Sequence, residues 1–285
     1  MRTLILIVML ALATPAVAAE TCNDVANEAL DRNQVEQAIT LLEECLEDEL
    51  AKVAETYLLL GLAHYEKGDH KRAIAEYTRA LDVNNRYVAA YANRGHSLAE
   101  RGRDDDAIDD FRQAIRLDPD YMQAYYFRAF AHEKRRRWNR ALEDYDTALG
   151  LAESDEDRAS IYYQRGLLYR KRGDWDEAIA SMTEAIDLNP NYTEAYFIRA
   201  FAQNKRRNPQ AAIADYTRVI EQDPQNAEAF HNRGILYRKN GQDHLAIQDY
   251  NSALAIRPNF AKAQVSRGYA YLIPILPLLF VLALG

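Results

Sequence analysis

Residues 161–190 read IYYQRGLLYRKRGDWDEAIASMTEAIDLNP and form two apolar-patterned segments on either side of Gly173. Apolar residues recur at intervals of three and four in both segments, which predicts two amphipathic α-helices joined by a short turn. The stretch ends at Pro190, and proline is typical of the position where a helix stops. A single helical hairpin cannot bury its own apolar face, so this pattern requires neighbouring copies.

The chain supplies those copies with a period close to 34 residues. One column is always alanine, at Ala38, Ala73, Ala107, Ala141, Ala178, Ala212 and Ala246. A second column of small residues lies twelve positions earlier, at Ala26, Gly61, Gly95, Ala129, Gly166, Ala200 and Gly234. Two small columns at a fixed offset indicate that two helices cross closely in every repeat. Stacked hairpins of this kind predict an all-α, right-handed α-solenoid of helix-turn-helix repeats.

The repeat columns also set the expected organisation of the chain. We expect a degenerate first repeat over residues 20–53, six repeats over 54–258 and a partial eighth repeat helix over 259–271. The junction AESDEDR at 152–158 lacks the usual proline and is three residues longer than its counterparts. A bend or a looser joint is therefore predicted there.

The two ends differ in character from the repeats. Residues 1–19, MRTLILIVMLALATPAVAA, combine a basic start, a short apolar run and small residues, which predicts a signal peptide. Residues 272–285 form an apolar C-terminal tail without a charged residue. Three interpretations of this tail stay open: a membrane anchor, an apolar flap over the end of the repeat stack, and an altered reading frame or truncated gene.

The chain contains two cysteines, Cys22 and Cys45. Export would place them where disulfides persist, so we expect a disulfide bond between them, with two buried free thiols as the alternative. The two positions lie at the start of the first helix and the end of the second in the first repeat. Antiparallel packing of the two helices would bring them together.

Composition and missing motifs narrow the function. A formal net charge of −8 argues against nucleic-acid binding, which depends on phosphate neutralisation by basic residues. The chain carries none of the glycine-rich, serine-nucleophile or zinc motifs of common enzymes, and its six histidines form no pair at four-residue spacing. We therefore expect no enzymatic activity, no cofactor and no metal site.

Residues 90–119, AYANRGHSLAERGRDDDAIDDFRQAIRLDP, and residues 161–190 closely resemble the tetratricopeptide repeat, and the resemblance extends over about residues 21–271. In that family the first helix of each repeat lines a concave groove that binds a protein or peptide. The resemblance implies that the groove is lined by Tyr126, Phe130, Tyr163, Leu167, Phe197, Phe201, His231 and Ile235. It further implies hydrogen bonding to a bound backbone by Asn93, Gln164 and Asn232. The alternative is that these rings fill the core of a narrow superhelix.

Some family members clamp a partner's carboxyl terminus with lysine and asparagine from this groove. Here Tyr126, Tyr163 and Phe197 fill the lysine positions. A carboxylate clamp is therefore not expected.

Two charged patterns accompany the repeats. An arginine precedes the small column, at Arg94, Arg128, Arg165, Arg199, Arg233 and Arg267, and an acid follows the alanine column by three, at Glu76, Asp110, Asp144, Asp215 and Asp249. We interpret them as internal ion pairs; a row of ligand-reading cations is the alternative. Basic clusters such as residues 134–137 mark the turns and predict a basic ridge, which is either a docking surface or solvated charge.

The sequence thus predicts an exported bacterial scaffold in the periplasm or cell envelope that holds a partner protein or peptide in its groove. The alternative is a membrane-tethered structural spacer of an envelope complex, with membrane contact through the C-terminal tail.

Overall fold

The computed structural model describes residues 22–32, 34–48 and 53–272. These residues form α-helices joined by short turns and contain no β-strand. The helices are α1 (Cys22–Asp31), α2 (Val35–Asp48), α3 (Val53–Glu66), α4 (His70–Val83), α5 (Val88–Glu100), α6 (Asp104–Leu117), α7 (Met122–Lys134), α8 (Trp138–Leu151), α9 (Asp155–Arg172), α10 (Trp175–Leu188), α11 (Thr193–Lys205), α12 (Pro209–Gln222), α13 (Ala227–Lys239), α14 (Asp243–Ile256) and α15 (Ala261–Leu272). The predicted all-α architecture of helix-turn-helix repeats is confirmed.

The chain divides into two compact units, and the boundary falls between Ala152 and Glu153. Helices α1 to α8 belong to the first unit, and α9 to α15 belong to the second. The boundary lies in the junction for which the sequence predicts a bend or a looser joint.

In four repeats a glycine of the first helix packs against a large side chain of the second helix, as the first small column predicts. A Cβ atom added to Gly234 would lie 2.7 Å from the Tyr250 ring, and one added to Gly95 would lie 2.9 Å from the Phe111 ring. The corresponding large residues are almost completely buried, at Tyr77, Phe111, Tyr145, Met182, Tyr216 and Tyr250. Close helix crossing therefore lets one buried side chain fill the space between the two helices of a repeat.

The hairpin turns depend on one residue in the left-handed backbone region. Gly173 has φ of +86°, and the Asp174 amide that follows it donates to the Tyr169 carbonyl over 3.0 Å. This bonding pattern ends a helix and favours glycine at the left-handed position. Arg136 and Arg207 occupy the corresponding positions in two hairpins, with φ of 54° and 61°.

The predicted signal peptide and residues 273–285 of the apolar tail lie outside the described residues. The same holds for the side chains of Cys22 and Cys45, so their disulfide stays a prediction. Among the residues that are described, no helix is long and apolar enough to cross a membrane. Within that same part of the chain, no group of three or more histidine, cysteine or acidic residues is arranged to hold a metal ion.

Candidate protein-binding site

Four of the six arginines before the small column form internal ion pairs with aspartates sixteen residues later. The other two differ: Arg165 donates to the Ser181 hydroxyl over 3.3 Å, and Arg267 donates to the Asn251 side chain. In each pair Nε and Nη2 donate to the two carboxylate oxygens over 2.6–2.9 Å. The pairs are Arg94 with Asp110, Arg128 with Asp144, Arg199 with Asp215 and Arg233 with Asp249. We call this set the arginine ladder. Each rung joins the two helices of one repeat, which supports the structural interpretation of these arginines.

The rungs carry two further contacts that the sequence analysis missed. The guanidinium carbon lies 5.4–5.7 Å from the centroid of an aromatic ring three residues earlier, at Tyr91, Tyr125, Tyr196 and Phe230. Arg94, Arg199 and Arg233 also donate to a threonine of the preceding second helix, at Thr78, Thr183 and Thr217. The threonines recur five residues after the alanine column, so a sequence signal for them exists.

Pairing dominates the pKa shift at some rungs of the ladder, and burial dominates it at another. The hydrogen bond to Asp110 raises the pKa of Arg94, and the one to Asp215 raises the pKa of Arg199. Burial raises the pKa of the Asp144 carboxyl in spite of its bond to Arg128. Both partners of these rungs are occupied by each other, which leaves them few donors and acceptors for a ligand.

Some of the basic turn residues pair with acids of neighbouring turns. The Asp105 carboxylate pairs with Arg135 at 2.8 Å and with Arg137 at 3.3 Å. In the second unit, Arg206 pairs with Asp176 at 2.5 Å. These contacts favour solvated, paired charge over a basic docking ridge.

The predicted groove residues of the first unit pack inward. Tyr126 is only 8% exposed, and its ring makes edge contacts with the rings of Phe130 and Tyr145. Phe130 also contacts Tyr145 and is half-buried, as is Asn93. For Tyr126 the structure therefore favours core packing over exposure in a groove.

The second unit brings Tyr163 and Phe197 together at a cleft of about 400 Å³. The cleft lies beside α9 and near the starts of α11 and α13. Its lining consists of Tyr163, Thr193, Glu194, Phe197, Ile198, Asp223, Asn226 and Glu228. We call this the α9–α11–α13 cleft, and it contains two of the residues that the sequence placed in the groove.

The aromatic rings of the cleft are held by neighbouring rings. Tyr163 stacks on Tyr192 with centroids 4.8 Å apart, and Phe197 meets the buried Tyr216 ring edge-on at 5.4 Å. Burial, followed by the nearby Glu194 carboxylate, raises the pKa of Tyr163, so its hydroxyl stays protonated at neutral pH. The rings therefore form a fixed, uncharged surface.

The remaining predicted groove residues of the second unit surround this cleft or lie buried. His231 is 6% exposed, bonds to the Ser266 hydroxyl at 3.2 Å and packs against Phe260, so it too favours core packing. Burial lowers its pKa. The others are half-buried: Gln164, Leu167, Phe201, Asn232 and Ile235.

Comparison with known proteins identifies the family. Sequence models of the tetratricopeptide repeat match residues 24–93 and 163–227, 95–135, 120–191 and 215–248. The chain belongs to the tetratricopeptide repeat family. No curated protein matches it significantly. Membership of this family supports a protein–protein interaction scaffold.

Solved structures share the fold of this tetratricopeptide repeat protein. The C-terminal part of a tetratricopeptide repeat protein from Cytophaga hutchinsonii has 20% identity and a TM-score of 0.69, over 85% of this chain and 98% of that one. YrrB, with an unusual peptide-binding site, has 23% identity and a TM-score of 0.59, over 67% and 97%. The hetero-tetramer Cut9–Hcn1 has 18% identity and a TM-score of 0.56, over 87% and 55%.

Three carboxylates line the cleft of this tetratricopeptide repeat protein, and the sequence analysis did not single them out. Glu194 and Glu228 lie in the first turns of α11 and α13, where the helix dipole stabilises a negative charge. Asp223 lies between α12 and α13, and its two oxygens accept from the Gln225 amide and the Asn226 side chain, both over 3.1 Å. The cleft thus combines an aromatic surface with an acidic rim.

Proposed function

We propose that this protein is a non-enzymatic scaffold that holds a segment of a partner protein against the first helices of its second unit. The observation that carries the proposal is the α9–α11–α13 cleft, which holds Tyr163 and Phe197 at a concave surface. Aromatic side chains are enriched in the contact regions of protein interfaces, and they bind with little loss of conformational freedom.

The arginine ladder and proteins of the same fold support a binding role for this face. The arginine ladder uses its charges internally, so the helices are held together without help from a ligand. Among proteins of the same fold, YrrB has a peptide-binding site and Cut9 assembles with Hcn1. The absence of enzyme motifs from the sequence is in line with a role in binding.

The proposed location is the periplasm or cell envelope of a bacterium. Its support is the leader-like pattern of residues 1–19.

A membrane-tethered spacer is the second candidate function. It is favoured by α15, which exposes Val265, Tyr269, Tyr271 and Leu272 immediately before the apolar residues 273–285. A spacer of this kind would partition with membranes only while the tail is present. Cell fractionation of the full chain and of a chain that ends at residue 272 separates the two candidates.

Site-specific photocrosslinking tests the scaffold in the intact protein. A photoreactive residue is placed at Phe197, and a matched control is placed at Glu184, an exposed residue of α10. The proposal expects a discrete adduct from position 197 that position 184 does not give. The crosslinked partner, once purified, should bind the variant Phe197→Ala/Phe201→Ala at least about tenfold more weakly than the wild type. Equal adducts from both positions, or unchanged affinity of a folded double variant, would overturn the proposal.

A further inference from the structure

We infer that the α9–α11–α13 cleft selects a partner segment by binding one basic side chain, arginine or lysine, between its aromatic surface and its acidic rim. This inference rests on the proposed scaffold function and names the chemistry of its ligand. The proposed ligand group is positively charged, whereas a carboxylate clamp binds a negatively charged chain terminus.

The aromatic surface suits a cation. The faces of tyrosine and phenylalanine rings carry negative electrostatic potential and attract guanidinium and ammonium groups. The protein already uses this contact internally, since Lys205 lies 5.3 Å from the centroid of the Phe201 ring and Arg257 lies 4.9 Å from that of Phe260. Among the described residues, no lysine or arginine lies over the ring of Tyr163 or Phe197, although the Arg170 charge is close enough to act on the Tyr163 hydroxyl.

The protein itself neutralises only one of the three rim carboxylates. Within the described residues, neither Glu194 nor Asp223 has a lysine or arginine within ion-pair distance, whereas Glu228 pairs with the exposed Arg257 at 3.4 Å. Where the two helices of a repeat cross, by contrast, the aspartate of the second helix pairs with an arginine of the first, as Asp215 does with Arg199. Two carboxylates beside the cleft therefore leave a negative charge that a basic ligand would neutralise.

Two of the rim carboxylates are stabilised without a cation, although only Asp223 is fixed by hydrogen bonds. The start of α11 stabilises Glu194 through the helix dipole, and two hydrogen bonds from Gln225 and Asn226 fix Asp223. A ligand that arrives with a positive charge meets a preorganised acceptor at Asp223, so little rearrangement of that carboxylate is needed on binding. An acidic segment would instead meet repulsion from the rim.

The test uses a phage-displayed library of random dodecapeptides that is selected on the full protein. Enriched peptides are synthesised with their basic residue and with glutamine in its place, and affinities are measured by fluorescence anisotropy at low and high salt. The rim variant is Glu194→Gln/Asp223→Asn. Its matched control, Glu177→Gln/Glu184→Gln, removes the same charge from exposed positions of α10 in the same unit.

The inference expects enriched peptides that contain arginine or lysine. Their affinity should fall about tenfold with glutamine in the peptide or with the rim variant, should fall with salt, and should stay unchanged with the control variant. Enriched peptides that lack a basic residue, or that bind the rim variant as tightly as the wild type yet lose affinity on Phe197→Ala, would overturn the inference and leave the scaffold intact. A selection that enriches no peptide dependent on Phe197 would overturn both.

Discussion

The groove positions of the first and second units carry similar aromatic residues and use them differently. In the first unit His96 stacks on Phe127 at 4.2 Å and lies 5.0 Å from the Tyr65 ring, while Tyr126 is buried against its neighbours. In the second unit Tyr163 and Phe197 border a cleft. One sequence column thus yields buried residues at Tyr126 and His231 and cleft-lining residues at Tyr163 and Phe197. The side chains of adjacent repeats decide which of the two results.

We expect the largest loss of stability from removal of a buried ring of the aromatic column, and a smaller loss from removal of a ring that borders the cleft. Tyr126→Ala removes a buried ring and should lower the free energy of unfolding by about 3–5 kcal/mol. Phe197→Ala removes a half-buried ring and should lower it by only about 1–2 kcal/mol. Urea denaturation followed by circular dichroism measures both. Equal losses would show that the two positions do not differ as the structure indicates.

The arginine ladder should make a smaller contribution per rung. Arg199→Ala leaves the buried Asp215 carboxylate without its cation and should lower the free energy of unfolding by about 3 kcal/mol. Arg267, whose Nη1 donates to Asn251 over 2.9 Å at an exposed site, is the matched control. Its replacement by alanine should cost less than about 1 kcal/mol. Indistinguishable denaturation midpoints for the two variants would show that the buried ion pairs of the ladder do not stabilise the fold.

Acid should weaken the first unit through His96. Burial lowers the pKa of His96 to about 4, and the neighbouring Lys134 and His70 charges act in the same direction while Glu100 opposes them. The unfolded chain, with a histidine pKa near its usual value, therefore binds the proton first as the pH falls, and stability is lost as the pH falls below about 6.5.

The variant His96→Phe isolates this effect. Between about pH 7 and about pH 5, the wild type should lose about 2 kcal/mol more of its unfolding free energy than the variant. Denaturation curves at a series of pH values provide the measurement. Parallel pH profiles for the two proteins would contradict the inward packing of this histidine.

We expect the smallest change in stability from substitutions in the hairpin turns. This change should be the same in the two units. Arg136→Gly in the first unit and Arg207→Gly in the second should each raise the free energy of unfolding by about 0.5–1 kcal/mol, because glycine adopts positive φ without steric cost. Gly173→Ala, at a turn with φ of +86°, should lower it. Thermal melting measures all three. Destabilisation by both arginine replacements would show that side-chain contacts outweigh backbone strain.

The fold and the ladder were predictable from the sequence because the residues that form them recur at the repeat period. Glycine at 95 and 234, the alanine column and the pairing of Arg94 with Asp110 all recur at fixed spacing, and spacing translates directly into helix faces. The left-handed conformation of Arg136 was harder to predict, because arginine is not a residue type that favours positive φ. The repeat period alone shows that it replaces a glycine.

The cleft was only partly predictable because it depends on contacts between repeats. Tyr163 and Phe197 were expected in the groove, but the sequence could not distinguish them from the buried Tyr126. Glu194 shares a repeat column with Glu228, and Asp223 shares one with Asp118, but only the stacking of α9, α11 and α13 shows that these carboxylates line one site. The net charge of the cleft follows only from a structure that shows which of its carboxylates are paired with a basic residue.

The most direct test is a crystal structure of the full protein with a selected peptide bound. The account predicts a basic side chain of the peptide in the α9–α11–α13 cleft, against Tyr163 and Phe197 and within hydrogen-bond distance of Glu194 or Asp223. A peptide bound on another face, or one that places an acidic or apolar side chain in the cleft, would contradict it.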